Sequence, residues 1–552
     1  MPMLPARGES TTSRFIQFCR GGFTMRHIKA STRLSRRDLW RFGIGIAGAA
    51  ALGKVVGPRP AWADGPPPTP IRFTPFTREL PMPATHQPVA PFATNCKFTT
   101  KAIPRFYVVH MKKGIAEIIP GVETEIWGYN GQYPGPSFHS TFGTPDVVRQ
   151  INDLDVETSI HLHSGHNPSA SDGLPFQDLL IPPGGFRDYC YPNQPVGFST
   201  GEPDPNDNAT TGWYHDHATD ITGPNVYHGL AGFFLFTDDL EQRLLASNTL
   251  PAAPFDVPLV LQDRRFNADG SLFYNPFEHD GFLGDVFAAN GKAQPFFRVQ
   301  RRKYRFRILN GANARMWFLR LSNDTPFLRL GTDGWLLPAA IAQNRIFLGM
   351  AERADVVIDF RNAPDTVFLE NILVQDSGRG PGGDLQNPDT VVPGTPLVKF
   401  IVQGAPVAND ATVTVGTLLR PNTPIAANEI VATRQFEFVR SEGAWQVNGL
   451  FFDENRVDAR VRQGTAERWI LKNGGGGWWH PIHLHLEAHQ VQRFNGAPPA
   501  PQNAFKKDTT LLGPGDEAEV FMRFRDFPTR FVAHCHNIEH EDMRMMFRWD
   551  VV

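Results

Sequence analysis

His534-Cys535-His536, followed by His540 and Met545, is the stretch that decides how this 552-residue chain is read. On a β-strand successive side chains point to opposite faces, so His534 and His536 face one way and Cys535 the other. A soft thiolate with two imidazoles and a distant, weak thioether is the donor set of a blue-copper electron-transfer centre. Cys535 and His540 supply two of those donors and Met545 the weak one, which leaves an imidazole to be found elsewhere. The flanking His534 and His536 would hold metal on the other face. One strand then wires a mononuclear copper to a second metal site through a few covalent bonds.

The rest of the chain supplies the missing donors. Of its 18 histidines, ten fall in four short clusters: His161-Leu162-His163, His215-Asp216-His217, His480-Pro481-Ile482-His483-Leu484-His485, and His534, His536 and His540. Random placement of 18 histidines in this length would give fewer than one His-x-His pair, yet four occur. Spacing of i, i+2 on a strand puts both imidazoles on one face, as a shared metal cluster needs. A single such pair is ordinarily a surface or core arrangement; four with a His-Cys-His point to metal. The four pairs provide eight imidazoles, enough for three coppers at three, three and two. His480, Cys535 and His540, with Met545 axial, remain for the blue site.

Composition agrees with a turn-rich, all-β chain: 50 Gly and 48 Pro accompany 43 Phe. The formal charge of −2 hides an asymmetry. Residues 1–63 carry 11 basic and 2 acidic side chains, which leaves 43 and 54 in the remainder, a net of −11. An acidic body gives no reason to expect a nucleic-acid partner. The basic leader, residues 1–63, contains Ser35-Arg36-Arg37-Asp38-Leu39, a weakly apolar run from Phe42 to Val56, and Ala61-Trp62-Ala63. These parts in this order resemble a bacterial twin-arginine export signal, with the mature chain periplasmic or extracellular. The run is too short and glycine-rich to span a bilayer. Met25 serves equally well as the true start. Cys19 lies in the leader and Cys535 is claimed by metal. Cys96 and Cys190 either pair in an oxidising compartment or are two small core residues.

After the leader, short apolar runs alternate with Gly/Pro/Asn/Asp turns. They divide into three β-sandwich domains at 64–240, 250–403 and 432–552, with residues 404–431 as a linker and residues 376–396 as a long surface loop. No repeat is visible by identity, so the equivalence of the three rests on size and pattern.

The four histidine clusters match, in order and position, the copper-binding motifs of the multicopper oxidases. Asn130-Gly131-Gln132-Tyr133-Pro134-Gly135-Pro136 and Trp213-Tyr214-His215-Asp216-His217 are also typical of that family, and the resemblance covers nearly everything after the leader. Residues His534 to Asp542 with Met545-Met546 look most like bacterial spore-coat laccases, phenoxazinone synthases and bilirubin oxidases. The resemblance implies three cupredoxin-like Greek-key domains with a trinuclear cluster between the first and third. It implies four copper ions: one type 1 at His480, Cys535, His540 and Met545; one type 2 at His161 and His483; and two type 3, at His163, His215, His536 and at His217, His485, His534. It also implies a monomer that oxidises phenolic, other aromatic or metal-ion donors one electron at a time and reduces dioxygen to water. Asp172 and Glu541 match acidic positions of this subfamily and are candidates for proton delivery, or else for orienting ligand histidines.

His166, His228 and His489 lie near the motifs without fitting them; His166 reads as a polar contact and His489 as an ordinary strand side chain. Met543 and Met546 read as core. Ahead of His480, Gly474 to Gly477 leave backbone open, and Trp478 and Trp479 offer stacking surfaces for a large planar donor unless both indoles pack in the core. Two other readings are a metal-tolerance oxidase acting on cuprous or manganous ion, and a copper-free cupredoxin scaffold. The second is disfavoured because all eleven strong donors and Met545 are present.

Overall fold

Six β-sheets, two from each of three successive stretches of chain, account for nearly all the regular structure. They are seen in a computed structural model that describes residues 68–552. The leader, with Cys19, Met25 and the paired arginines, lies outside the described residues. Among the described residues no helix is long and apolar enough to cross a membrane.

The sheets show the internal repeat that residue identity conceals. In each stretch the opening strand runs parallel to a later one: Arg105–Glu117 beside Asp146–Asn152, Asp256–Arg264 beside Lys303–Asn310, and Ile430–Ser441 beside Thr465–Asn473. The companion sheet of each repeats a second parallel pair, Gly135–Thr141 with Ala231–Thr237, Phe296–Gln300 with Thr390–Gln403, and Ala459–Val461 with Met546–Val551. These are three cupredoxin-like sandwiches, each closed over its own core. Backbone pairing and period-2 burial carry the likeness, and many side-chain sets satisfy both.

Lys303–Asn310 shows how sequence makes both strand and interface. Tyr304, Phe306 and Ile308 point into the second core. Arg305 and Arg307 point the other way and are also buried, because Glu241 of the helix Asp239–Ala246 accepts from both at 2.6 and 2.8 Å. A charge is tolerated inside only with such a partner.

One loop assignment changes, and the linker proves closely packed. The expected surface loop 376–396 becomes strand from Thr390 onward, since Leu373 and Asn371 pair with Thr390 and Thr395. Pro393 and Pro396 fit there because the neighbour on the far side, Phe296–Gln300, pairs only from Lys399, so this half of the strand is an edge needing fewer donors. The linker 404–431 is a strap rather than a free tether: Val413 and Leu419 are buried with Leu330 and Leu336, and Arg420 pairs with Asp238 at 2.8 Å.

Cys96 and Cys190 are joined, with 5.5 Å between their Cα atoms and 94 residues between them in sequence. The bond pins the extended segment before the first strand to Phe186–Tyr191. Closing so long a loop restricts the unfolded chain most, so Cys96→Ser is expected to lower unfolding stability by about 2–4 kcal/mol. Chemical denaturation of the variant beside the wild type measures this, with reductant reproducing the loss in the wild type alone.

Candidate metal centre

Five strands and one short helix position every donor. β1 (Ile160–His163) and β2 (Thr211–Asp216) pair antiparallel in the first sandwich, with His161 opposite His215 and His163 opposite Trp213. In the third sandwich β3 (His480–Leu484) lies between β4 (Thr509–Leu512) and β5 (Arg530–Cys535), with Ile482 opposite Cys535 and His483 opposite His534. Leu162 and Tyr214 fill the first core, and Ile482, Leu484 and Cys535 belong to the third. Alternation therefore turns the imidazoles of both sandwiches outward, toward each other. The helix α1 (Ile538–Asp542) follows β5 directly and carries His540 and Glu541.

Two separate buried constellations result. In the first, Cys535 Sγ lies 3.4 Å from His480 Nδ1 and 3.6 Å from His540 Nδ1, and those nitrogens are 3.3 Å apart. Met545 is fully buried in the same core, and its backbone N–H donates to the His540 carbonyl while its own carbonyl accepts from Cys535. Burial pushes the Cys535 thiol up and His480 down to about 3. In the second constellation, eight histidines from both sandwiches meet. Nε2 atoms approach to 3.1 Å in the pairs His161–His483, His163–His215, His163–His536 and His217–His534, and to 3.2 Å in His485–His534. Trp213 stacks against His163 and His215, holding those rings in place.

Hydrogen bonds fix which nitrogens face inward. Nδ1 of His161 donates to the Asp172 carbonyl at 2.7 Å, Nδ1 of His483 to the Asp508 carbonyl at 2.8 Å, and Nδ1 of His215 to the Asp216 carbonyl at 2.7 Å. The Asp172 carboxylate takes Nδ1 of His485 at 2.8 Å. Burial and neighbouring imidazoles drive His161, His483 and His485 well below the usual histidine range, and His215 to about 3, so these rings are neutral. With the proton on Nδ1, the inward Nε2 atoms carry bare lone pairs. Lone pairs 3.1 Å apart repel unless a cation lies between them.

Glu541 Oε2 is 3.0 Å from His534 Nδ1 and Oε1 is 3.7 Å from His217 Nε2. Burial raises its pKa, but the imidazoles of His534 and His217 outweigh that and hold it below the usual carboxylate range. Asp172, fully buried, is pushed the other way by desolvation. Sequence reading missed Asp508. Its Oδ2 lies 3.6 Å from His163 Nδ1, and Arg353 grips both its oxygens at 2.7 and 2.6 Å. Ser164 Oγ donates to Asp508 and accepts from Arg353, so one knot ties all three sandwiches beside the cluster. No local signal marks it, because its partners are 155 and 344 residues away.

The three unassigned histidines stay outside both constellations. His166 binds Asp526 at 2.8 Å, His228 stacks on Trp127, and His489 contacts Thr510 Oγ1 at 2.7 Å. Trp479 is buried against Phe347, while Trp478 stays half-exposed and reaches Asp280 through its indole N–H.

Two family models described as multicopper oxidase match residues 110–241 and 423–552, the stretches holding the donors. The bilirubin oxidase of Albifimbria verrucaria is 34% identical over 487 residues, covering 85% of this chain and 80% of its own. The laccase of Bacillus subtilis is 31% identical over 539 residues, covering 86% and 98%. The crystal structure of a laccase from Pediococcus acidilactici superposes with a TM-score of 0.74 at 28% identity, covering 88% and 95%. This chain belongs to the multicopper oxidases. It is a laccase-like member, a copper-dependent oxidoreductase that uses dioxygen, and copper fits the donors found here. Converging bare Nε2 atoms and a buried sulfur beside two Nδ1 atoms suit a cation of this softness.

The oxidase depends on sandwich contacts that titrate. Burial works against a charged His166, but Glu487 and Asp526 outweigh it and raise the pKa above its ordinary 6.5. A raised folded-state value means the contribution is complete below pH 6.5 and fades as pH rises through the folded value. His166→Gln is therefore expected to be less stable than wild type at pH 6, with the gap narrowing in alkaline buffer. Denaturation midpoints across pH 6–9 test this, and a gap independent of pH contradicts it.

Proposed function

We propose that this oxidase takes single electrons from phenolic or other aromatic donors at the Cys535 constellation and spends four of them, with four protons, on each dioxygen to give two waters. The observation that carries the reading is β5 itself. Cys535 lies in one buried donor set, and its chain neighbours His534 and His536 lie in the other. A few covalent bonds thus join the two sets.

His480, Cys535 and His540 would hold the type 1 ion with Met545 as the weak donor, and His161 with His483 the type 2 ion. His163, His215 and His536 would hold one type 3 ion and His217, His485 and His534 the other. Bound copper supplies the one-electron couple at the first set and the dioxygen chemistry at the second. The chain's own groups do the rest. Asp172 and the Asp172, Asp216 and Asp508 carbonyls keep the ligand rings in one tautomer. Glu541 delivers protons, supported by a cavity of about 10 Å³, close to the size of one water, that Glu541 lines with Pro175, Thr219 and Arg544. Asp172, whose Oδ1 is buried without a hydrogen-bond partner and lies 3.6 Å from His161 Nδ1, is the second proton group.

Donors approach over the indoles. Trp445 lies 3.7 Å, centroid to centroid, over His540 and meets His480 edge-on. Trp478 meets Trp445 edge-on, with Arg379 and Arg440 over its ring. Such a face suits flat aromatic molecules. One contact favours a second reading, oxidation of cuprous ion: His279 Nδ1 and Met543 Sδ meet at 3.0 Å near the surface beside Trp445. Oxygen uptake with a simple phenol against cuprous ion separates the two.

Export before use agrees with the twin-arginine-like leader and with a disulfide that needs an oxidising compartment. A single chain suffices, because every donor comes from within it.

The central test is Cys535→Ser. A hydroxyl cannot replace the soft thiolate, so the blue absorption should vanish and donor-driven oxygen uptake should fall to background, while the histidine cluster still binds metal. An intact blue band overturns the assignment. Glu541→Gln should keep copper content and the blue spectrum but slow reoxidation of the reduced enzyme by oxygen roughly a hundredfold. The defect should deepen as pH rises, because solvent hydronium becomes the only remaining proton source. Stopped-flow reoxidation as fast as wild type at every pH would leave Glu541 a structural neighbour of His534.

A further inference from the structure

One sizeable cavity among the described residues lies away from both metal constellations. It lies between the second and third sandwiches, holds about 450 Å³, and is walled by Phe318, Phe347, Leu385, Val491 and Leu511. That volume suits a small organic ligand of one or two rings. None of Trp445, Trp478 and Arg440 lines it, so it is distinct from the donor face.

Four cations reach its wall, and their partners differ. Arg353 is held by Asp508, Lys507 by Glu352 at 2.9 Å and Asp333 at 3.4 Å, and Arg345 by Asp324 at 3.2 Å. Glu352, the carboxylate on the wall, is further occupied by the Gly349 N–H. Arg329 has no carboxylate within ion-pair distance among the described residues. It is 3% exposed, and its guanidinium donates only to neutral acceptors: the carbonyls of Gly331 and Arg353, Thr332 Oγ1, and at a long 3.5 Å Gln343 Oε1. Desolvation lowers its pKa to about 10, offset only in part by the more distant carboxylates of Asp333, Glu352 and Asp355. A buried guanidinium with spare N–H capacity, on a wall that also presents Phe318, Phe347 and Leu511, fits a carboxylate, which it binds by charge-assisted bonds about twice as strong as neutral ones.

We propose that this cavity is a binding site for a small aromatic carboxylate, its anionic head on Arg329 and its ring between Phe318 or Phe347 and Leu511. The site adjoins the electron-transfer machinery without belonging to it. Phe347 stacks face to face on Trp479, with 5.8 Å between centroids and 6° between planes, and Trp479 immediately precedes His480. Trp479 also donates to the Pro381 carbonyl of the loop that brings Leu385 to the cavity. An occupant therefore packs against the segment that aims His480.

Isothermal titration of the copper-loaded full chain with 2-naphthoate, which lacks an oxidisable phenol, tests the proposal. One saturable site is expected, with the neutral 2-naphthamide bound about tenfold more weakly. Arg329→Gln should abolish that preference. Ala500→Trp, which fills the mouth without touching the buried charge, should weaken naphthoate by about tenfold or more. Saturating naphthoate should leave the KM for a neutral phenol unchanged. Absence of binding, equal affinity for the amide, undiminished binding to Ala500→Trp, or competition with the phenol would each overturn it.

Discussion

The rest of this fold depends on one constraint: eight buried imidazoles from two sandwiches must converge on one shared volume away from water. An isolated imidazole would turn to find a donor. His161, His215, His483 and His485 cannot, because their outward N–H groups are already given to the carbonyls of Asp172, Asp216 and Asp508 and to the carboxylate of Asp172. Full burial removes the water that would otherwise satisfy the inward nitrogens. The result is a site held open against its own repulsion, complete only with cations.

That constraint explains the division of labour among the sandwiches. The first and third each contribute histidine pairs from strands whose other face is core, so the pairs meet only where those sandwiches abut. The second contributes no histidine to either constellation, yet it fixes both. Arg353 reaches across to Asp508 beside His163, and the loop after Leu373 takes the Asn537 amide and the Trp479 backbone next to the Cys535 constellation. Removing it would leave the ligands in place by sequence and loose in space.

The two donor sets differ in hardness as well as position. The Cys535 set sits inside the third core, packed against Trp445 and other hydrophobic side chains, where desolvation alone would keep the sulfur protonated. A metal is what makes the thiolate stable there. The histidine cluster instead lies at the seam between sandwiches, where Glu541 reaches His534 at 3.0 Å.

By itself the sequence determined the donor types, the all-β class and the faces on which the donors lie. Those follow from local rules: His-x-His on a strand shares a face, and a cysteine between two histidines takes the other. Tertiary structure decided what local periodicity cannot reach. His161 meets His483 across 322 residues, Asp508 joins Arg353 across 155, and Cys96 pairs with Cys190 rather than standing free. It also separated Trp478 from Trp479, adjacent in sequence, sending one toward the donor face and burying the other on Phe347. Both precede the first residue of β3, where no strand alternation tells two neighbours apart. Only the packing of three sandwiches says what each of them meets.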